Sequence, residues 1–193
     1  MLRAKLAAIV AISAFGAQAA TLPRKAPPFA IQTPDGKQIQ VSSYKGKVVT
    51  LVFILTTCPH CQAATRALSK LQPEYGPKGV QVIESAIDEQ ASKLVPGFIQ
   101  NFSPPFPVGY NNVYQAIDFL QHPAMAVPHM PMMAFIDRQG NIVAQYEGNS
   151  DFLVDTHMEE NFRKQLDGML KTSSPAKKAP AKRPGASPSK KTN

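Results

Sequence analysis

Val48-Val-Thr-Leu-Val-Phe-Ile-Leu55, then Thr56-Thr57, then Cys58-Pro59-His60-Cys61, is the stretch that decides the fold. The first eight residues are apolar almost without interruption, the pattern of a strand buried on both faces. Pro59 suits the first turn of a helix, where its missing N–H costs nothing. Cys61, Ala64, Leu68 and Leu71 then recur at helical spacing, and Pro73 is expected to close the element. The two cysteines therefore sit at a strand-to-helix junction.

Working outward, Gly79 precedes a β-rich run, Val80 to Ile87, that ends at Asp88. A helix is expected over Gln90 to Asn101, a short strand around Phe106 to Tyr110, and a helix from about Val113 to Leu120. Met132 to Ile136 and Ile142 to Tyr146 flank Asp137-Arg-Gln-Gly140 and read as a hairpin. An amphipathic helix, Phe152 to Leu170, comes last. On the N-terminal side, Pro34-Asp35-Gly36 turns a hairpin between Phe29 and Val41. The order gives an α/β protein with a central mixed sheet and helices on both faces.

Both ends differ from the middle. Met1-Leu-Arg-Ala-Lys5 is basic, Leu6 to Gly16 is apolar, and Ala17-Gln-Ala19 has the small-x-small form of a signal-peptidase site. Residues 1–20 thus read as a secretory signal whose apolar run is too short to span a bilayer. The competing reading is an uncleaved anchor. No cysteine lies near the cleavage site, which excludes a lipoprotein. Export to the periplasm, or another extracytoplasmic compartment, is the expected localisation.

Residues 21–28 read as a Pro-rich linker, and 29–170 as the domain. Residues 171–193 carry seven basic side chains and no acid, and are expected to form a disordered tail. The net charge of +8 comes from the ends. Without residues 1–28 and the tail, ten basic residues face thirteen acidic ones. Nucleic-acid binding is therefore not expected, and the tail is better suited to an anionic surface.

The chain has only two cysteines, both in one CxxC. A disulfide framework would scatter its cysteines, and a four-cysteine zinc site would need another pair. Redox exchange is the remaining chemistry, with a structural loop or half a metal site as its rivals. Cys58 would stand at the helix N-terminus, where unpaired N–H groups and the dipole favour a thiolate. Cys61, one turn deeper on the core stripe, would attack a mixed disulfide at Cys58 and release the partner. His60 beside the helix start would add to the bias toward the Cys58 thiolate. No cofactor and no resident metal are expected.

Cys58-Pro59-His60-Cys61 after a buried strand resembles the thioredoxin superfamily. Gly46-Lys-Val-Val-Thr-Leu-Val-Phe, the Val80-Gln-Val-Ile strand ending at Asp88, and Phe135-Ile-Asp-Arg-Gln-Gly140 resemble its TlpA/ResA and AhpC/TSA-related branch. The similarity runs from about Phe29 to Leu170. It implies a thioredoxin fold with an N-terminal β-hairpin and a βα insertion, and an extracytoplasmic thiol–disulfide oxidoreductase acting on protein thiols and disulfides. It also implies a redox partner, membrane-bound or soluble, that resets the cysteines, and a role such as cytochrome c or copper-site maturation.

The resemblance further implies a cis-proline loop facing the cysteines. Pro128 and Pro131 compete for it. Counting back nine residues from Gly140, as this branch does, selects Pro131, preceded by Met130. Met130 and Thr57 would then border the substrate.

Departures from the family pattern are equally specific. Val52 stands where thioredoxins carry a buried aspartate that helps deprotonate the second cysteine, and Ala64 where some cytochrome-maturation members carry a glutamate. Glu84 is a candidate substitute, although a strand carboxylate ordinarily faces solvent. The Pro-His dipeptide is that of DsbA-type oxidants, whose helical insertion this chain lacks. Oxidant and reductant directions both stay open.

Three rival functions share parts of this pattern. A peroxiredoxin would need a proline and a threonine where Leu51 and Leu55 stand. An SCO-like Cu(I) metallochaperone would draw on His122, Met125, His129, Met130, Met132 and Met133, although that group uses CxxxC with a distal histidine. The only later histidine, His157, is expected to face solvent, and packing is the preferred reading of the methionines. An interaction scaffold with vestigial cysteines is the third.

Overall fold

β4, Val48–Ile54, lies at the centre of the molecule with all seven residues buried. The computed structural model of the chain describes residues 20–123 and 125–172. On one side β4 pairs in parallel with β5 (Val80–Ala86), and on the other antiparallel with β7 (Met132–Ile136). Two neighbours and two covered faces leave an interior strand with no route to solvent, which its unbroken apolar run anticipates.

The remaining strands extend the sheet in both directions. β8 (Asn141–Glu147) forms a hairpin with β7, and β1 (Arg24–Lys25) closes that edge. Beyond β5 come β6 (Val108–Tyr110), β2 (Ala30–Gln32) and β3 (Gln38–Gln40). The order in this eight-stranded mixed sheet is β1-β8-β7-β4-β5-β6-β2-β3. Gly109 in β6 permits the close approach of β2, since a Cβ there would lie 2.3 Å from the Gln32 carbonyl oxygen.

Strand alternation divides the core into two layers. Val48, Val52 and Ile54 face α1 (Pro59–Tyr75), α2 (Ala91–Phe102) and α4 (Met158–Thr172). Val49, Leu51 and Phe53 face α3 (Val113–Leu120) and the N-terminal hairpin. There Phe29, Phe53 and Phe119 meet with ring centroids 4.8 to 6.0 Å apart. This is the thioredoxin fold, with β6 and α3 occupying the βα insertion ahead of β7.

Three expectations need correction. Pro73 does not close α1, which continues to Tyr75. So near the helix end, proline forfeits a single backbone bond. The last turn is fastened from outside: Gln72 donates to the Val80 carbonyl and accepts from Val82 N–H at 2.7 Å, while the Tyr75 hydroxyl donates to Asp167 at 3.0 Å. The final helix begins at Met158 rather than Phe152. Phe152 instead stacks flat on Tyr146 at 3.7 Å, and the Asn161 amide donates to the Phe152 carbonyl. That helix also takes in Lys171 and Thr172, the first two residues assigned to the tail.

The 21–28 stretch is itself docked along the sheet edge. Arg24 donates to the Phe119 carbonyl at 2.7 Å and to Gln145 at 2.9 Å. Residues 1–19 and 173–193, where the signal and the rest of the tail were placed, lie outside the described residues.

Candidate active site

β4 delivers the chain to the cysteines through a short, tightly held turn. Thr56 donates its backbone N–H to both oxygens of Asp88, at 3.1 and 3.0 Å, and its hydroxyl to the same carboxylate at 3.0 Å. The Gln62 amide donates to the Thr56 carbonyl at 2.9 Å. Asp88 follows β5, so the turn is pinned to the neighbouring strand. The sequence marks Asp88 only as the end of a strand; an acid beside a turn rich in unpaired N–H groups is the signal for more.

Cys58 is the N-cap of α1, half-buried, with extended backbone, and its Sγ accepts the Cys61 N–H at 3.3 Å. Cys61 lies directly behind it and is fully buried. Both are free thiols. Burial holds the Cys61 thiol well above the ordinary cysteine range, followed in importance by its hydrogen bond with Cys58. The Leu55 backbone opposes this in part, and the charges of Cys58 and Glu84 add smaller upward effects. One sulfur is reachable; the other is protonated and shielded.

The other candidates surround this pair unequally. Pro59 and Thr57 are exposed on the rim. His60 turns its Nε2 to the Leu153 carbonyl at 2.5 Å and the Asp155 carboxylate at 3.3 Å. A carbonyl only accepts, so Nε2 carries the proton. The fixed partners of this imidazole thus lie on the segment leading into α4.

Pro131 is buried, and the Met130–Pro131 peptide is cis. Met132 pairs with Phe53, so continuing that register sets Pro131 at the same end of the sheet as the cysteines. Met130 is half-buried against the same core as Cys58. The loop is braced from β8 and beyond: Gly148 N–H donates to the His129 carbonyl at 2.9 Å, and His129 N–H to Glu147 at 3.3 Å.

Glu84 is the largest surprise. It was expected to face solvent, yet it is fully buried, between Val52 of β4 and Val108 of β6 in register. The reason is that β5 is interior on both edges and covered on both faces. Neither carboxyl oxygen has a hydrogen-bond partner. Burial pushes its pKa up to about 8. Thr65 tempers the rise slightly, but its hydroxyl is committed to the Cys61 carbonyl at 3.1 Å.

The copper candidates are dispersed. Met132 and Met133 point into opposite core layers, and Met125 is 91% exposed. His122 Nε2 meets Glu147 at 3.1 Å, with His129 4.0 Å away on the other oxygen. Among the described residues no three His, Cys, Asp or Glu side chains converge for a metal. His157 is exposed, as expected.

A half-buried N-cap cysteine backed by a buried one, on a thioredoxin fold, defines a thiol–disulfide oxidoreductase. The Redoxin family profile matches residues 23–166, and the chain belongs to that family. Thiol-disulfide oxidoreductase ResA of Bacillus thuringiensis (strain Al Hakam) is 30% identical over 152 residues, covering 79% of this chain and 78% of its own. The ResA of Bacillus subtilis (strain 168) is 28% identical over 124 residues, 64% and 65% of the two chains.

A crystal structure from Chlorobium tepidum, provisionally described as the thiol:disulfide interchange protein DsbE, superposes with TM-score 0.65 at 25% identity. It covers 77% of this chain and 96% of that one. The ResA-like branch and the thiol–disulfide activity read from the cysteines are thus the chain's own.

Proposed function

We propose that Cys58 is the sulfur that forms the mixed disulfide with a protein substrate and that Cys61 resolves it. The observation that carries this is the difference in exposure across one helical turn: Cys58 half-buried at the N-cap, Cys61 at zero exposure behind it. A substrate sulfur can approach only the first, and only the second is held beside the bond that must then be broken. Met130 and the cis Pro131 offer an extended backbone edge for the substrate, with Thr57 and Pro59 at the rim and His60 orienting the helix start.

We further propose that the enzyme works outside the cytoplasm, delivered by the leader at residues 1–20, and is reset there by a membrane or soluble dithiol partner. No described helix is long and apolar enough to cross a membrane. Cytochrome c and copper-site maturation, and general cell redox homeostasis, are the roles that suit such a protein. The basic residues 173–193 would hold it near an anionic surface.

The test is trapping. Cys61→Ser should accumulate a covalent substrate adduct that reductant dissolves, and Cys58→Ser should form none. Adducts on Cys61 in the Cys58 variant would reverse the assignment. The reduction potential, equilibrated against glutathione and thioredoxin buffers, then fixes direction: near thioredoxin for a reductant, near DsbA for an oxidant.

A further inference from the structure

We infer that Glu84 is the group that accepts the proton of Cys61 when that thiol resolves the mixed disulfide, and returns it in the reverse direction. This rests on the assignment of Cys61 as the resolving sulfur.

The Cys61 proton needs an acceptor inside the core. Cys61 is protonated and fully buried, so no solvent reaches its sulfur. Attack on the Cys58 disulfide requires the thiolate. The adjoining core is apolar: Val52 from β4, Val95 and Phe98 from α2, Val108 from β6. Among the described buried residues of that layer, Glu84 is the one carboxyl group.

Its surroundings fit the task. Thr65 neighbours both residues, hydrogen-bonded to the Cys61 carbonyl and close enough to influence Glu84. The Glu84 charge in turn acts on the Cys61 thiol, so the two groups are coupled electrostatically. Of the titratable groups on α1, Cys61 is the one on which the Glu84 charge acts; Val95 and Phe98 of α2, Val52 of β4 and Val108 of β6 share that core layer and carry no charge.

A structural role explains Glu84 poorly. Both oxygens lack partners, and an unpaired carboxyl in an apolar core opposes folding. Val52, beside it in register, shows the side chain this position would take for packing alone. Burial brings Glu84 to about 8, within the range where a carboxyl can both take up and release a proton near neutral pH.

The step balances. The Cys61 S–H proton moves to the Glu84 carboxylate as Cys61 sulfur bonds to Cys58 sulfur. The bond from Cys58 to the substrate sulfur breaks, and the substrate leaves as a thiolate. Two cysteine thiols are oxidised to one disulfide while the substrate disulfide is reduced, and one negative charge is conserved throughout.

Reaction of the reduced protein with one equivalent of Ellman's reagent separates the two sulfurs in time. The first nitrothiobenzoate is released when Cys58 attacks, the second when Cys61 resolves. In the wild type the second phase should accelerate with pH and level off near 8. Glu84→Gln should leave the first phase unchanged, slow the second by about a hundredfold at pH 8, and remove its levelling. Glu84→Asp should recover part of the rate.

An unchanged second phase in Glu84→Gln would overturn the proposal. Loss of the first phase in the wild type would instead overturn the assignment of Cys58. Should the variant not fold, infrared difference spectra of the wild type with labelled glutamate decide the matter. A protonated-carboxyl band that changes between the dithiol and disulfide forms supports the proposal, and an invariant one refutes it.

Discussion

Glu84 and Asp88 stand four residues apart along one strand and its exit, and their surroundings treat them oppositely. Asp88 gives both oxygens to Thr56 and so fixes the turn that presents Cys58. Glu84 gives its oxygens to nothing. Its folded pKa of about 8 lies above the unfolded value of 4.5, so between those limits the folded state holds a proton that the unfolded chain releases. The Glu84 contribution to stability is therefore complete below about pH 4.5 and is lost as pH rises through 8, an order-of-magnitude loss of about 5 kcal/mol.

Denaturant unfolding from pH 5 to 9 measures this, and Glu84→Gln should flatten that part of the profile. An equal slope in both proteins would show that Glu84 is not buried as described. The sequence offered Glu84 as a candidate, but its burial was not legible there. Val80-Gln-Val-Ile-Glu-Ser-Ala86 mixes polar and apolar residues. Its burial depends on β6, α1 and α2 arriving from elsewhere in the chain.

At the scale of elements, the cis-proline loop and α4 show how geometry and packing each prevail. A Cβ on Gly148 would lie 2.1 Å from the Met130 carbonyl oxygen, a backbone atom that no side-chain rotation can move aside. Gly148→Ala must therefore push the loop carrying Met130 and Pro131 away from β8. Exchange with protein substrates should fall at least about tenfold, the equivalent of about 1.4 kcal/mol, while the small Ellman's reagent still reacts with Cys58. Equal rates with both substrates would place the substrate edge elsewhere.

α4 is linked to α1 by ion pairs of Glu159 with Lys70 and of Arg163 with Glu74, all on partly exposed side chains. Such pairs contribute at most about 1 kcal/mol each. Burial of Met158, Phe162, Leu166 and Met169 outweighs them, at roughly 1.5–3 kcal/mol for each fully buried side chain. That apolar spacing made the helix legible. Its start was not, because Phe152 fits the helical pattern yet finds a better site stacked on Tyr146.

For the whole molecule, the sequence was most informative where one element decides its own burial. β4, the CxxC junction and the β7–β8 hairpin could be read from residues adjacent in the chain. The edges could not, because β1 is only two residues long and acquires its position from Arg24. Arg24→Ala should release that edge. The amides of the Arg24–Ile142 and Lys25–Asn141 pairs should then exchange about tenfold faster, matching the loss of roughly one charged hydrogen bond, while those of Leu51 stay protected. Unchanged exchange at the edge would mean that backbone pairing alone holds β1.

The strand order also governs how the protein can be made. Residues 24–40 supply β1 on one margin of the sheet and β2–β3 on the other. A chain emerging N-terminus first, from a ribosome or a membrane pore, thus presents its margins before it has a centre. β2 waits for Tyr110, and β1 waits for Asn141 and Ile142. Until some hundred and forty residues are out, nascent β1 has no partner, and anything that screens unpaired strands must attend this chain for most of its synthesis.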